Sequence, residues 1–292
     1  MVCLRSLAKP FQALPVITSG AAAAFGFGPQ ELALFSGSLS GQDFHVALVT
    51  SVLARLNLTP AALQCGAHAP LHRPSAKALT EAGQHPTALH HTCAGKHAMM
   101  LALCVHHGWP VEGYYELAHP VQRLMHQTVA AAAGLAPEEV PTAVDGCGVP
   151  TFYLSLSTIA RAFARLATAP VGTPEAQILA AGLAHPKNLA GDGRLETVLM
   201  EQLSGRVFAK TGAEGGFGLA LVQEGLGVAV KIEDGASRAL NPVILQVADD
   251  LGLLTDAHRQ ALASYRQPAV LNNRKENVGV IRPRFSLVPA GS

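Results

Sequence analysis

Arg206-Val207-Phe208-Ala209-Lys210, Phe217-Gly218-Leu219-Ala220-Leu221-Val222 and Leu226-Gly227-Val228-Ala229-Val230-Lys231-Ile232 are three short apolar runs, separated by the glycine-bearing links 211–216 and 223–225. Runs too short for helices and bounded by glycine predict an antiparallel meander. Around them the apolar period changes to that of helices. Residues 46–58 repeat apolar positions at helical spacing and stop before Pro60, and residues 94–107 do so until Gly108 and Pro110. Residues 151–166 and 241–251 read as further helices, and 269–282 as a terminal strand. The expected class is α+β, an antiparallel sheet with helices. No internal repeat or low-complexity linker divides the chain, so residues 1–292 are expected to form a single domain.

The 292 residues suffice for a large core, and 49% hydrophobic against 14% charged residues excludes a disordered chain. Lys and Arg number 21 against 20 Asp and Glu, a net charge of +1, so neither nucleic acid nor an anionic membrane has an electrostatic footprint here. A small neutral or zwitterionic ligand fits better. Five scattered cysteines, Cys3, Cys65, Cys93, Cys104 and Cys147, suit free thiols in a reducing compartment. The stretch from Arg5 to Ala24 superficially resembles a secretion signal, but Gln12, Pro15, Thr18, Ser19 and Gly20 interrupt it. No other segment reaches the roughly 18 apolar residues of a membrane span. A cytoplasmic protein is expected.

Ser6-Leu7-Ala8-Lys9 sets a hydroxyl and an amine three positions apart at the start of a helix expected over 6–18, with Pro10 in its first turn. On one helical face such groups lie about 5–6 Å apart, the relation of a nucleophile to its base. The same spacing also suits an N-cap serine and a solvated lysine. Lys210-Thr211-Gly212 ends the first strand of the meander, as the strand motif of penicillin-recognising hydrolases does, and equally as an ordinary strand entering a turn. Ser36-Gly37-Ser38-Leu39-Ser40-Gly41 offers a hydroxyl-rich loop, or the N-cap of the helix that follows. Cys93 and Cys147 each occupy a tight glycine-bearing turn. Two thiolates could share a zinc ion, with His97 as the third ligand that chemistry alone suggests; buried inert thiols are the alternative. The 13 histidines form no His-Glu-x-x-His pattern, and Pro70 separates His68 from His72. Gly212, Gly215, Gly216 and Gly218 lack the helix of a phosphate-binding loop.

These residues belong to ordered blocks along most of the chain. They are Arg5-Ser6-Leu7-Ala8-Lys9-Pro10-Phe11-Gln12-Ala13-Leu14, Gly37-Ser38-Leu39-Ser40-Gly41 with His45, and Leu63-Gln64-Cys65-Gly66-Ala67-His68. Then come Cys93-Ala94-Gly95-Lys96-His97, His119-Pro120-Val121-Gln122, Asp145-Gly146-Cys147-Gly148-Val149-Pro150-Thr151, His185-Pro186, Ala190-Gly191, Lys210-Thr211-Gly212-Ala213-Glu214-Gly215 and Lys231-Ile232-Glu233-Asp234-Gly235. Together they resemble the asparaginase family typified by the thermolabile rhizobial enzyme. The resemblance implies a glutaminase/serine β-lactamase-like fold, a homodimer, and hydrolysis of L-asparagine to aspartate and ammonia. It implies two Ser-Lys tandems, Ser6 with Lys9 and Ser38 with Lys210, substrate contacts from Arg5, Asp145 and Gly212, and zinc held by Cys93, Lys96 and Cys147.

Departures from the family pattern are also legible. Family members usually carry strands ahead of the Ser-x-x-Lys helix, and here the motif starts at residue 6, so either the start codon is misassigned or part of the sheet is missing. Leu39 replaces a histidine, Thr92-Cys93-Ala94-Gly95-Lys96 replaces Asn-Cys-Ser-Gly-Lys, and Glu196 stands where a cysteine can lie near the site. The expected activity is that of a small-molecule amidohydrolase in which Lys9, deprotonated beside a positive Lys210, activates Ser6. The alternatives are a β-lactamase or penicillin-binding-type hydrolase, and a non-catalytic zinc-binding homologue.

Overall fold

The computed structural model describes residues 1–288. Eight strands are present among them: β1 (Val2–Cys3), β2 (Thr142–Val144), β3 (Pro150–Leu154), β4 (Val207–Gly212), β5 (Gly216–Leu221), β6 (Leu226–Lys231), β7 (Ala269–Leu271) and β8 (Asn277–Val280). The expected meander is the sheet β4-β5-β6, antiparallel throughout, with Lys210 opposite Gly218 and Gly212 opposite Gly216. A second small sheet, ordered β1-β3-β2, is also antiparallel. With the helices around them, these sheets make the α+β class.

The helix Leu156–Ala167 lies across β5 and β6. Its buried Ile159, Ala162, Phe163 and Leu166 recur at i, i+3, i+4 and i+7, one apolar stripe facing the sheet. Two glycines set how closely it sits: a Cβ on Gly218 would lie 2.4 Å from the Phe163 ring, and one on Gly227 only 1.9 Å from the Ala160 carbonyl. On the strand side, β4 is covered by the 3₁₀ turn Arg5–Ala8 and the helix Leu195–Gln202. Residues 94–104 of the helix Ala94–His107 are buried all round, so that helix is a core element rather than an amphipathic one. It also packs tightly on Pro29–Ser36, since a Cβ on Gly95 would meet the Leu34 carbonyl at 2.5 Å.

The helix Ala94–His107 has the bounds its spacing indicates, and the three meander strands lie within two residues of theirs. Elsewhere local chemistry changed the outcome. The single helix expected over 6–18 is three pieces, Arg5–Ala8, Lys9–Gln12 and Leu14–Thr18, because Pro10 and Pro15 each open a new first turn. Ser6 sits inside the 3₁₀ turn and caps nothing. Residues 151–166 are not one helix: Pro150–Leu154 pairs on both sides as a central strand, and Ser155 then caps the helix by accepting from the Thr158 N–H at 3.1 Å. Ser36 ends Pro29–Ser36 and Gln42 precedes Asp43–Arg55, so no serine of the 36–41 loop is an N-cap. The terminal strand is a hairpin, β7 with β8. A short strand, β1, does precede Ser6 and pairs with β3.

Candidate active site and metal centre

The Arg5–Ala8 turn and the helix Lys9–Gln12 carry Ser6 and Lys9 against the end of β4. Gly212 permits that contact, because a Cβ there would lie 3.0 Å from Leu7 and 3.3 Å from the Leu4 carbonyl. The Ser38 loop is fixed from the other side. The Ser38 N–H donates to Leu189 O at 2.8 Å, the Leu39 N–H to Thr92 O at 3.0 Å, and Gly37 is so close to Leu189 that a Cβ would sit 2.4 Å from its carbonyl.

Two amines meet on one hydroxyl. Lys9 Nζ donates to Ser38 Oγ at 3.1 Å and to Thr92 O at 3.2 Å; Lys210 Nζ donates to Ser38 Oγ at 2.7 Å and to Thr211 O at 2.7 Å. Both lysines are fully buried. A hydroxyl accepts two hydrogen bonds and donates one, so Ser38 can bridge two amines in different protonation states. Among the described residues the Ser6 hydroxyl has no hydrogen-bond partner, and its side chain is at the edge of burial. The Lys9 hydrogen bonds among the described residues thus go to Ser38 and Thr92.

Burial pushes the pKa of Lys210 well below the ordinary lysine value; the charge of Lys9 adds to this and Glu196 opposes it. Lys9 is lowered too, first by burial, with Cys93 opposing and Lys96 assisting. The sequence-based assignment made Lys9 the neutral amine and Lys210 the positive one. The surroundings depress both, and Lys210 strongly.

A second cluster abuts the first. The Cys93 and Cys147 sulfurs and an Asp145 carboxylate oxygen all lie within 4.8 Å of one another. Cys147 Sγ donates to Asp145 Oδ2 at 3.5 Å, Lys96 Nζ lies 3.5 Å from the same oxygen, and Arg5 Nε holds Oδ1. The neighbouring Cys147 thiol draws the Cys93 thiol well below its ordinary pKa against the cost of burial, with Lys9 and Lys96 assisting; Cys147 moves up in return. Burial alone would raise Asp145 and lower Lys96, yet Lys96 and Arg5 leave Asp145 lowered against the pull of Cys93, and Cys147, Cys93 and Asp145 leave Lys96 raised.

Two sulfurs and a carboxylate fit zinc, a borderline-soft cation that prefers thiolate. Lys96 is here the counter-ion of Asp145 and would ligate only after losing its proton. His97 is turned away: its Nδ1 shares a hydrogen with the Tyr114 hydroxyl at 2.5 Å in the core. Burial lowers its pKa to about 3.

The fold thus gathers Arg5, Ser6, Lys9, Ser38, Cys93, Lys96, Asp145, Cys147, Lys210 and Gly212 around the Arg5–Ala8 turn and its neighbours. Asp145 joins the thiols, with Lys96 beside it. Three participants went unassigned. Glu214 binds Arg5 Nη1 at 2.7 Å, and the Thr151 hydroxyl accepts from the Arg5 N–H at 3.1 Å. Both lie in the quoted blocks, which was the available signal. The Thr92 carbonyl that fixes Lys9 is backbone and leaves no trace in residue type. Of the departures, Leu39 is fully buried among apolar residues and Glu196 is 2% exposed, paired with Arg194 at 3.0 Å.

A family model described as L-asparaginase II matches residues 1–283. No curated protein matches the chain. No helix among the described residues is long and apolar enough to cross a membrane.

Proposed function

Because this chain belongs to the L-asparaginase II family, we propose that it hydrolyses the side-chain amide of L-asparagine to aspartate and ammonia, with Ser6 as nucleophile. The observation that carries the mechanism is Ser38 Oγ held between two buried amines of depressed pKa. Ser6 Oγ attacks the amide carbon as its proton passes to Lys9. Backbone N–H groups hold the oxyanion. The leaving nitrogen takes a proton from the Lys9–Ser38–Lys210 chain and departs as ammonia, leaving an ester on Ser6. Water, deprotonated by the same base, then releases aspartate and restores the serine. Arg5, Asp145 and Gly212 are assigned to the amino-acid end of the substrate. Arg5 also orients Asp145 through their ion pair.

Cys93 and Cys147, with Lys96 and the Asp145 carboxylate beside them, would hold zinc, which supplies a fixed positive charge to polarise substrate polar groups. The reading includes a glutaminase/serine β-lactamase-like fold, supported by the helix-borne Ser-x-x-Lys beside the strand-borne Lys-Thr-Gly. It also includes a cytoplasmic homodimer acting on small amides.

Purified protein should release ammonia and aspartate in equal amounts from L-asparagine. No ammonia from asparagine, glutamine or small amides would defeat the assignment, and a β-lactam adduct on Ser6 would favour the penicillin-type alternative.

A further inference from the structure

Ahead of the helix Ala94–His107, the Thr92 and Cys93 N–H groups have no backbone acceptor among the described residues, and two imidazoles take them. His68 Nε2 accepts from the Thr92 N–H at 3.0 Å and His91 Nδ1 from the Cys93 N–H at 2.9 Å, with the two rings 4.4 Å apart. The partners fix the His68 tautomer. Its Nδ1 lies 2.7 Å from the Ala69 carbonyl, which can only accept, so Nδ1 carries the proton and Nε2 is left bare for Thr92. The loop that carries His68 also lies on the Ser38 loop: the His72 N–H donates to Ser40 O at 3.0 Å, and a Cβ on Gly41 would sit 3.0 Å from Pro70. The other side of Thr92 reaches the site. Its carbonyl accepts from Lys9 Nζ at 3.2 Å and from the Leu39 N–H at 3.0 Å, so one residue ties Lys9 to the chain that carries Ser38.

We propose that His68 is a positioning residue: by holding the Thr92 N–H it sets the Thr92 carbonyl against Lys9 and Leu39, and so keeps Lys9 aligned with Ser38. The inference rests on the proposed amidase reading and adds a residue outside both Ser-Lys tandems and the thiol cluster. The N–H and the C=O of Thr92 flank one Cα, and a turn residue whose N–H is unpaired rotates to find another partner, taking its carbonyl with it. His91 does not duplicate the role, since it holds the next N–H, that of Cys93. Among the described residues no second side chain accepts from the Thr92 N–H. With the Thr92 carbonyl displaced, Lys9 keeps Ser38 as an acceptor but loses the contact that fixes its direction of approach. His68 is half-buried, so its ring can be changed without opening the core.

Two replacements separate the two ends of the ring. The Gln oxygen reaches as far as Nε2 and can accept from Thr92, whereas the Asn amide reaches only as far as Nδ1 and can donate to Ala69 O. In His68→Asn, kcat for asparagine should fall about 10–10²-fold with KM within about twofold, the effect of a small misplacement of a reacting group, because Arg5, Asp145 and Gly212 are untouched. His68→Gln should recover most of that loss. The companion measurement needs no turnover. In protein labelled with ¹³Cε-lysine, with the Lys9 signal assigned through Lys9→Arg, that signal at fixed pH should shift in His68→Asn and return in His68→Gln. If the wild type cleaves no amide, the proposed function fails while the Lys9 signal still decides this inference. Should His68→Asn not fold, His68→Leu, which has no acceptor, is read in the same way. If His68 only anchors its own loop, His68→Asn keeps its kcat and its Lys9 signal whatever happens to stability, and that result overturns the proposal. Equal losses in His68→Asn and His68→Gln, with no rescue, overturn it too.

Discussion

Ser38→Ala tests the centre of the argument, because the oxygen it removes accepts from Lys9 at 3.1 Å and from Lys210 at 2.7 Å. Each amine keeps one carbonyl, Thr92 O or Thr211 O, and neither can turn to water, since both are fully buried. A hydrogen bond to a charged group contributes about 1.5–3 kcal/mol, so two such losses set an upper limit near 6 kcal/mol. The actual cost is smaller. Both amines are already displaced toward neutrality, and a lysine left without its acceptor can shed its proton, which caps the penalty. A loss of about 2–3 kcal/mol at pH 7 is expected by urea denaturation. The kinetic effect should be larger, because the variant breaks the proton path between the lysines while leaving Ser6 and Lys9 in place; a fall in kcat of about 10²–10⁴-fold matches the loss of a positioned acid–base group. Ser38→Thr keeps the hydroxyl and should recover most of both. The reasoning is refuted if Ser38→Ala unfolds within about 0.5 kcal/mol of wild type and releases ammonia within tenfold of its rate.

Ser6→Ala should abolish turnover by several orders of magnitude with fold and metal content intact, whereas Cys147→Ser should lower zinc content, measured by emission spectroscopy, and raise KM more than it lowers kcat. If Ser6→Ala stays active while Cys147→Ser loses kcat with zinc retained, the thiol is the nucleophile. Lys210 also makes a pH-dependent contribution to stability: its folded pKa lies below the ordinary 10.5, so between those values the unfolded chain holds a proton that the folded one lacks. Stability therefore rises with pH across that window and is lost as pH falls through it. In Lys210→Met that part of the slope should disappear from urea midpoints measured between pH 7 and 10.5. Gly227→Ala drives a methyl to 1.9 Å from the Ala160 carbonyl and should destabilise by about 1–3 kcal/mol as the helix Leu156–Ala167 is pushed off β6; an unchanged urea midpoint would mean that the helix does not sit where the structure has it.

The meander was legible because glycines at the link positions and short apolar runs constrain the chain locally, and the helix Ala94–His107 because Gly108 and Pro110 stop it. The segment at Pro150 was not. Thr151-Phe152-Tyr153-Leu154 follows an apolar pattern that suits strand or helix, and what decides is pairing with β1 and β2, whose registers join residues 2–3 and 142–144 to it. Likewise the site residues could be named from the blocks in which they stand, but their pairing could not. Ser38 lies 29 residues from Lys9 and 172 from Lys210, and the resemblance had implied a serine for each lysine. Only the approach of β4 to the 3₁₀ turn shows that they share one.

Arg5 explains why the two clusters form one site. Its φ of +47° lies in the left-handed region, uncommon for a side chain that gains nothing locally from it, and such a conformation persists only where surrounding contacts over-determine it. Those contacts are present: its N–H donates to Thr151, and its guanidinium binds Asp145 and Glu214. Asp145 in turn is bonded by Cys147 and lies beside Lys96. The backbone that leaves Arg5 delivers Ser6, so the position of the hydroxyl depends on an ion pair anchored in the thiol cluster. Lys9, three residues on, is held instead by Ser38 and Thr92. The short turn between them is thus fixed at one end by the thiol–carboxylate cluster and at the other by the lysine–serine chain. Its 3₁₀ form, tighter than an α-helix, is how four residues join two anchors that sequence spacing had placed on one regular helix.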